Sequence, residues 1–390
     1  MQAVKKIKLL HQYRRRENTA AVNYNIRGHN IMAEKLAIAM SGGVDSSVAL
    51  VLLKDKYDVS GYTLKLHDSR GTDDSGLCGS ASDIEDAKAI AAKFGVPHYL
   101  LDMRDLFSDT VQKSFVQSYL SGRTPNPCVD CNENIKFGAL LDAVKKQGIN
   151  HIATGHYVRS CYDEKSGRWL LKKAINADGT SNAKDQSYVL YRLSQQQLAA
   201  SVFPLGEMTK DEIRHIAADS GLINSDKPDS QDICFVPDGN YAGFIECYTG
   251  STYPDGDFLD ENGNVIGRHK GVIFYTIGQR RGIGTGFGKP MYVIGKNADN
   301  NTVTLGESEL LFTDTLYADN LNWIAFEYPE REFKCKAKTR YRQTEQPCTV
   351  YPQGRNTVRV VFDEKIRAVT PGQHVVFYDG DIVLGGGVIM

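Results

Sequence analysis

The chain has 390 residues, with 46 Lys and Arg against 47 Asp and Glu; 41% of its residues are hydrophobic and 24% charged. This globular composition is long enough for two or three domains, and it excludes a disulfide-stapled miniprotein, a collagen-like fibre and a largely disordered charged chain. No apolar run reaches the ~18 residues that a membrane-spanning helix needs, so no membrane partner is expected. The formal net charge of −1 leaves a nucleic-acid partner open, because a sum over the chain does not say where the charges sit. Eight cysteines, at positions 78, 128, 131, 161, 234, 247, 335 and 348, follow no signal-like apolar stretch. They point to the reducing cytoplasm, where a cysteine with a role does redox, sulfur or metal chemistry.

Residues 1–32 read as a basic extension. Lys5, Lys6, Lys8, Arg14, Arg15, Arg16 and Arg27 stand there against Glu17 alone, a net +6 that leaves −7 for the rest of the chain. The stretch has the Arg-rich, acid-poor composition of an organelle presequence; the plainer alternative is an extension without function or an upstream start, since Met32 opens a strand pattern directly.

From Leu36 strands and helices alternate. Residues 36–40 read as a short buried strand, 45–54 as a helix, 59–66 as a second strand, 82–94 as a helix with Ile84, Ala87, Ala91 and Phe94 on one face, and 98–102 as a third strand. A helix at 135–146 and a strand at 151–154 follow. The alternation predicts a parallel sheet covered by helices, with the ligand site at the carboxyl ends of its strands.

At the first of those ends stands Ser41-Gly-Gly-Val-Asp-Ser-Ser47. Two glycines let the backbone approach an anion, the amides of the following helix donate to phosphate oxygens, and the hydroxyls of Ser41, Ser46 and Ser47 add to them. No Walker lysine follows, and the Asp45 carboxylate suits an anion loop only where Mg²⁺ bridges it to the phosphates. Gly-Gly alone is a common structural turn, but the heptapeptide in this setting resembles the pyrophosphate loop of the ATP pyrophosphatases.

Next comes Thr124-Pro-Asn-Pro-Cys-Val-Asp-Cys-Asn-Glu-Asn-Ile-Lys-Phe137. Two prolines give an irregular approach, and Cys131 is expected just before a helix whose dipole and amides favour a thiolate. Cys128 and Cys131 also form a Cys-x-x-Cys pair, yet zinc or an iron–sulfur cluster needs further ligands, and no second pair appears. Farther on, Lys227-Pro-Asp-Ser-Gln-Asp-Ile-Cys-Phe-Val-Pro237 places Cys234 in polar, proline-flanked surroundings that suggest a loop, whereas a lone cysteine in an apolar run is usually core. Together Cys131 and Cys234 meet the needs of persulfide chemistry: one thiol carries the terminal sulfur and the other takes up the remaining sulfur as a disulfide.

Beyond about residue 205 the pattern changes. Residues 208–220 read as an amphipathic helix with Thr209 as N-cap, and 241–248 as another. From about Asp255, short strands parted by Asp-Gly, Asn-Gly and Pro-Gly turns predict an all-β domain, a barrel. Residues 334–342 read as a strand with Lys334, Lys336, Lys338, Arg340 and Arg342 on one face. Edge protection accounts for some lysines; five in a row favour binding of a phosphate backbone, with Arg268, His269, Lys270, Arg280 and Arg281 extending the patch.

The chain as a whole resembles the tRNA-uridine 2-sulfurtransferases, the ATP-dependent 2-thiouridylases of the tRNA wobble uridine. The resemblance spans residues 34–390. It rests on the pyrophosphate loop, Asn126-Pro-Cys with Cys131, Ala153-Thr-Gly-His-Tyr157, Lys184-Asp-Gln186, Ser230-Gln-Asp-Ile-Cys234, Gly278-Gln-Arg-Arg-Gly282, Pro371-Gly-Gln373, Tyr378-Asp-Gly-Asp and Gly385-Gly-Gly387. It implies an α/β fold with three domains. A parallel-sheet pyrophosphate-loop domain (adenine nucleotide alpha hydrolase-like), ATP-binding and catalytic, covers 33–204; a small central helical tRNA-binding domain with the second catalytic cysteine covers 205–254; and a β-barrel tRNA-binding domain covers 255–390. ATP would lie against Ala39, Met40, Ser41, Gly42, Gly43, Val44, Asp45 and Ser46, with Leu64, where many members have methionine, and Gly155. Asn126, Pro127 and Cys128 would meet the target base, while His156, Lys184, Asp185, Gln186, Arg340, Tyr341 and Gln373 would contact the tRNA. Cys131 would be the nucleophile and Cys234 the persulfide carrier. Where some members have an aspartate proposed as general acid/base, this chain has Cys128; Asp130 is near in sequence but out of register.

The expected reaction begins by adenylylating the uridine 2-oxygen with ATP and Mg²⁺, because that oxygen leaves poorly by itself. The persulfide on Cys234 then supplies sulfur to C2, directly or as hydrosulfide released by Cys131. AMP and pyrophosphate are the by-products, and a Cys131–Cys234 disulfide remains. Partners are a persulfide donor (a cysteine desulfurase or sulfur-relay protein) and a reductant. An anticodon-loop base can be splayed into a pocket, and His156, Tyr157 and Tyr188 are candidate stacking surfaces. Rival readings are an ATP-dependent ligase or amidotransferase, which needs no cysteine pair, and a noncatalytic RNA-binding or sulfur-relay protein, which needs no intact pyrophosphate loop.

Overall fold

Leu36, Ala37 and Ile38 are fully buried in the strand Lys35–Ala39, as the continuous apolar run of a central parallel strand requires. The structure of the chain, a computed structural model, describes residues 33–68, 81–228, 232–284 and 288–390. The basic extension, Cys78, Ser230 and Gln231 lie outside the described residues. The chain divides into two compact units. One holds the described residues up to Asp102 with Lys136–Ser187 and Ser194–Asp229; the other holds Met103–Ile135, Tyr188–Leu193 and Ser230–Met390.

In the first unit, β1 (Lys35–Ala39), β2 (Asp58–Lys65), β3 (His98–Asp102), β4 (His151–Ala153) and the short β7 (Ser201–Val202) form a parallel sheet in the order β3-β2-β1-β4-β7. The order reverses between β1 and β4, and a doubly wound sheet opens its ligand crevice at such a switch point. The loops after β1 and β4 therefore frame the site. Helices Val44–Leu53 and Ala81–Lys93 pack a core of Leu36, Ile38, Val48, Leu50, Ile90 and Tyr157. An antiparallel hairpin, β5 (Val158–Asp163) with β6 (Arg168–Lys173), was not foreseen. Helix Lys210–Asp219 starts at a complete capping box: the Thr209 side chain accepts from the Glu212 amide, and the Glu212 side chain accepts from the Thr209 amide.

In the second unit, the rings of Phe107, Phe115 and Tyr119 meet Phe235, Tyr241 and Phe244, joining the helical stretch 104–120 to the segment that carries Cys234. Residues 256–306 form a sheet of their own, β10 (Tyr292–Asn297), β11 (Thr302–Gly306), β8 (Gly256–Leu259) and β9 (Val265–His269). The barrel follows: β12 (Phe312–Trp323), β15 (Val358–Arg367), β14 (Gln346–Pro352), β13 (Phe333–Lys338), β16 (His374–Asp379) and β17 (Ile382–Ile389) pair antiparallel in that order, and β12–β17 pairing closes it. Leu316, Val350, Val360, Phe362 and Phe377 fill it, with Trp323 stacked on Phe377.

The basic strand is shorter than expected. β13 ends at Lys338, so Arg340 and Arg342 leave the shared face. The cause is local: Thr339 is buried and bonds Gln343 through backbone and hydroxyl, folding the chain into a turn. Lys334 and Lys336 are exposed, while Lys338 lies over the Tyr378 ring. Of the wider patch, His269 is buried and Arg268 pairs with Asp257 at 2.7 Å, whereas Lys270, Arg280 and Arg281 are exposed.

Candidate functional site

In the first unit, the turn after β1 is shaped by glycine and hydroxyls. Gly42 has φ +76°, and a Cβ there would lie 2.4 Å from the Asp83 carbonyl oxygen. Gly43 is the N-cap of helix Val44–Leu53, and no side chain caps that helix. Ser46 and Ser47 hydroxyls both donate to the Gly43 carbonyl at 3.0 Å, and the Ser41 amide donates to Ser46 Oγ at 3.2 Å. The hydroxyls thus hold the turn, and the first-turn amides remain at the positive end of the helix dipole, an arrangement suited to phosphate oxygens.

Asp45 has protein partners. Its carboxylate accepts the Tyr157 hydroxyl at 2.6 Å and Lys210 Nζ at 2.8 and 2.9 Å. Among the described residues no cluster of three or more His, Cys, Asp or Glu can hold a metal. A single carboxylate at a helix start is an oxygen ligand of the kind that Mg²⁺, which keeps several waters, would accept.

Asn224 donates to the Gly42 carbonyl at 2.8 Å and Ser47 Oγ at 3.0 Å, and Lys227 pairs with Asp83 and Asp86. Lys210, Asn224 and Lys227 escaped sequence reasoning because their partners lie well over a hundred residues away; the one local signal was the capping box ahead of Lys210. Gly155, after β4, packs its backbone on the same helix start: a Cβ there would lie 2.7 Å from the Ser46 amide nitrogen. Leu64 is half-buried near the carboxyl end of β2, two residues past Tyr62, the partner of Ala39.

The remaining expected residues of this unit sit mostly inside it. His156 is buried, its Nδ1 2.8 Å from Thr154 Oγ1, and burial pushes its pKa well below the ordinary value, so it is neutral. Tyr157 is buried against Asp45, and Tyr188, in the other unit, is buried with its hydroxyl on the His374 carbonyl. The expectation that these three rings offer stacking surfaces therefore fails. Asp185 accepts the Ala174 amide and the Ser187 hydroxyl, Gln186 exchanges two hydrogen bonds with the Tyr157 backbone, and Lys184 is half-buried.

In the second unit, the helix expected at 135 begins at Pro127. Asn126 is its N-cap, accepting the Cys128 amide through its side chain, and Pro127 occupies the first helical position, where its fixed φ and missing N–H fit. Cys128, exposed, therefore takes the helix-start position that had been expected for Cys131. Cys131 lies one turn in, 7% exposed, its amide donating to the Cys128 and Pro127 carbonyls. Cys234 is half-buried in a turn beside the buried Phe235 and Val236. Burial raises the Asp130 pKa, although Ser114 donates to the carboxylate at 3.2 Å and Arg192 opposes the shift. Arg192 in turn pairs with Glu133 at 2.6 Å.

Gln373 and Arg340 also face inward. Gln373 Nε2 donates to the carbonyls of Thr124 and Pro125 at 2.9 and 3.1 Å, and the Thr124 amide donates to the Pro371 carbonyl, tying the approach to Asn126 onto the barrel. Arg340 Nη2 donates to the Ile277 and Ala368 carbonyls and to Thr370 Oγ1. Tyr341 is exposed, with its ring edge towards Tyr188.

Residues 34–238 match the family described as "tRNA methyl transferase HUP domain", 242–307 its PRC-barrel domain and 313–389 the "Aminomethyltransferase beta-barrel domain". The chain is 46% identical over 360 residues to the tRNA-specific 2-thiouridylase MnmA of Clostridioides difficile (strain 630), covering 92% of this chain and 98% of that protein. It is 45% identical over 360 residues to that of Acetivibrio thermocellus, covering 91% and 99%. Among solved structures, the U34-tRNA thiolase NcsA from Methanococcus maripaludis is a distant likeness at 17% identity and TM-score 0.33, covering 57% of this chain and 74% of that one.

Proposed function

The chain belongs to the family of tRNA-specific 2-thiouridylases, which are sulfurtransferases, and from that premise we propose that it converts a wobble uridine of tRNA to 2-thiouridine by adenylylation followed by persulfide transfer. The observation that carries the ATP step is the uncapped start of helix Val44–Leu53 at the switch point of the parallel sheet. Its amides bind the phosphates, Gly155 keeps the opposite wall of the crevice low enough for the nucleotide, and Leu64 lines it. Asp45 is the residue that would hold Mg²⁺, which would supply charge neutralisation for the departing pyrophosphate.

The sulfur step is assigned to Cys234 as persulfide carrier and Cys131 as the thiol that takes up the remaining sulfur. A persulfide donor loads Cys234 and a reductant opens the resulting disulfide. By this reading residues 33–204 bind ATP, and 205–254 and 255–390 hold tRNA. Asn126, Pro127 and Cys128 meet the base, and exposed Tyr341 with Lys184 contacts the tRNA directly. The inward-facing His156, Asp185, Gln186, Arg340 and Gln373 shape those surfaces. No helix among the described residues is long and apolar enough to cross a membrane, and the cytoplasm is the proposed location.

The test is to incubate the chain with ATP, Mg²⁺, a low-molecular-weight persulfide and unmodified tRNA, digest the tRNA and search for 2-thiouridine by mass spectrometry. Product is expected from the wild type and lost in Cys131→Ser and Cys234→Ser. Undiminished product from both variants, or none from the wild type, sinks the reading.

A further inference from the structure

We propose that Cys128 is the thiol that reopens the enzyme after each sulfur transfer, an inference that rests on the persulfide reading above. Cys128 is exposed in the first turn of a helix that continues through the π-helical segment Cys131–Ala139, and its amide is held by Asn126 Oδ1 at 3.2 Å. Cys131 follows one turn later, buried, with its amide on the Cys128 carbonyl. Residues three apart on a helix carry Cβ atoms about 5–6 Å apart, and a disulfide needs about 3.5–4.5 Å, so a small adjustment closes the pair. The adjustment falls where the helix has least to lose, since Pro127 has no N–H and the Cys128 amide bonds a side chain.

A second observation places the sulfur-carrying segment alongside. The Tyr241 hydroxyl donates to Asp232 at 3.2 Å, two residues before Cys234. Burial first, then Asp232 and Cys128, push the Tyr241 pKa up to about 12, which sets the Cys128 side chain near that phenol.

The exchange conserves atoms and electrons. The Cys128 thiolate attacks Cys131 Sγ in the Cys131–Cys234 disulfide, a Cys128–Cys131 bond forms, and the electron pair of the broken bond leaves on Cys234 as a thiolate ready for reloading. A dithiol reductant then attacks the exposed Cys128 sulfur; its second thiol displaces the mixed disulfide, and the reductant departs oxidised by two electrons. Direct reduction of the buried Cys131 sulfur is slower for want of access.

Two measurements test this. With Cys234 loaded by a low-molecular-weight persulfide and all small thiols and persulfides then removed, one turnover with ATP, Mg²⁺ and unmodified tRNA, followed by acid quenching, alkylation and peptide mass mapping, should find Cys128 joined to Cys131 in the wild type and Cys131 joined to Cys234 in Cys128→Ser. Whatever Cys128→Ser and Cys128→Ala do to the first turnover, the ratio of steady-state to first-turnover rate with limiting dithiothreitol should fall at least tenfold in both. A persistent Cys131–Cys234 disulfide with alkylated Cys128 in the wild type, or an unchanged ratio, overturns the proposal while thiouridine formation still stands. No thiouridine from the wild type overturns the thiolation reading and this inference with it.

Discussion

Lys210 holds both carboxylate oxygens of Asp45, at 2.8 and 2.9 Å, across 165 residues of sequence. The lysine opens its helix directly behind the Thr209 capping box, so its position is fixed by the backbone as well as by the ion pair. With side-chain exposures of 11% and 30%, the pair is only partly screened by water, and losing one partner is expected to cost about 1–3 kcal/mol. On the proposed reading of the loop as an ATP site, a cation beside Asp45 is also available to the outer phosphates. Lys210→Met should therefore weaken ATP binding by about tenfold, or about 1.4 kcal/mol, and AMP binding much less. Calorimetric titration with each nucleotide checks this; equal losses would show a role in folding alone.

The backbone of Gly155 touches the turn that carries Asp45 and Ser46. A methyl group there meets the Ser46 nitrogen at 2.7 Å and the Asp45 carbonyl carbon at 2.8 Å, backbone atoms that cannot rotate away. Gly155→Ala should displace the helix start and reduce ATP affinity at least as much as Lys210→Met. Because the clash is confined to the loop, cooperative unfolding by circular dichroism should persist. An ATP affinity equal to wild type would mean that the crevice opens without cost.

What could be read in advance follows from the range of each interaction. Strands at 36–40, 59–66, 98–102 and 151–154 announce themselves by short apolar runs between glycines and charges, and each appears within one residue of its expected bounds. The pyrophosphate loop is equally local. The helix start at Pro127 was misplaced because the apolar periodicity begins only at Ile135, while Asn126 and Pro127, the true start signals, looked like loop. The basic strand was overextended because alternation continues through Arg342, whereas the turn is imposed by a Thr339–Gln343 contact. Lys210, Asn224 and Gln373 act on residues remote in sequence, and no periodicity encodes that.

Gln373 works at such a distance, since its Nε2 bonds the two carbonyls immediately before Asn126. Loss of the donor should loosen the approach to the Cys128 turn without removing an exposed RNA contact. Both Gln373→Ala and Gln373→Glu are expected to slow single-turnover thiolation about tenfold and to change tRNA affinity by less than threefold. Filter binding with quenched-flow product analysis separates the two; a loss confined to affinity would assign Gln373 to the RNA surface instead.

Cys335 and Cys348 face each other directly across β13 and β14, with their sulfur atoms 3.6 Å apart. The hydrogen-bonding contact with the Cys348 sulfur first, then burial, push the Cys335 thiol pKa up, so this thiol is slow to react at neutral pH. Under a two-electron oxidant such as oxidised glutathione at mildly alkaline pH, a cross-strand disulfide should form. Closing so short a loop should stabilise the barrel by up to about 3 kcal/mol. Comparing Tm in oxidised and reduced samples, with Cys335→Ser as control, checks this; a lower Tm on oxidation would show that the strands must distort to close the bond.

Lys296 supplies a pH dependence of defined sign. Its Nζ donates to the Tyr275 carbonyl at 2.8 Å and lies over the Tyr119 ring, and burial pushes its pKa down to about 8. Between about pH 8 and the ordinary lysine value near 10.4, the unfolded chain binds the proton that the folded chain has released, so this residue makes stability rise with pH across that window. The contribution is fully present above the unfolded value and is lost as pH falls through about 8, a swing of up to about 3 kcal/mol. Lys296→Met removes the ionisable group and keeps most of the apolar stem. Urea unfolding at pH 7 and pH 9.5 should show the wild type gaining stability relative to Lys296→Met at the higher pH. A constant difference between the two proteins would mean that water reaches the ammonium and holds its pKa near the ordinary value.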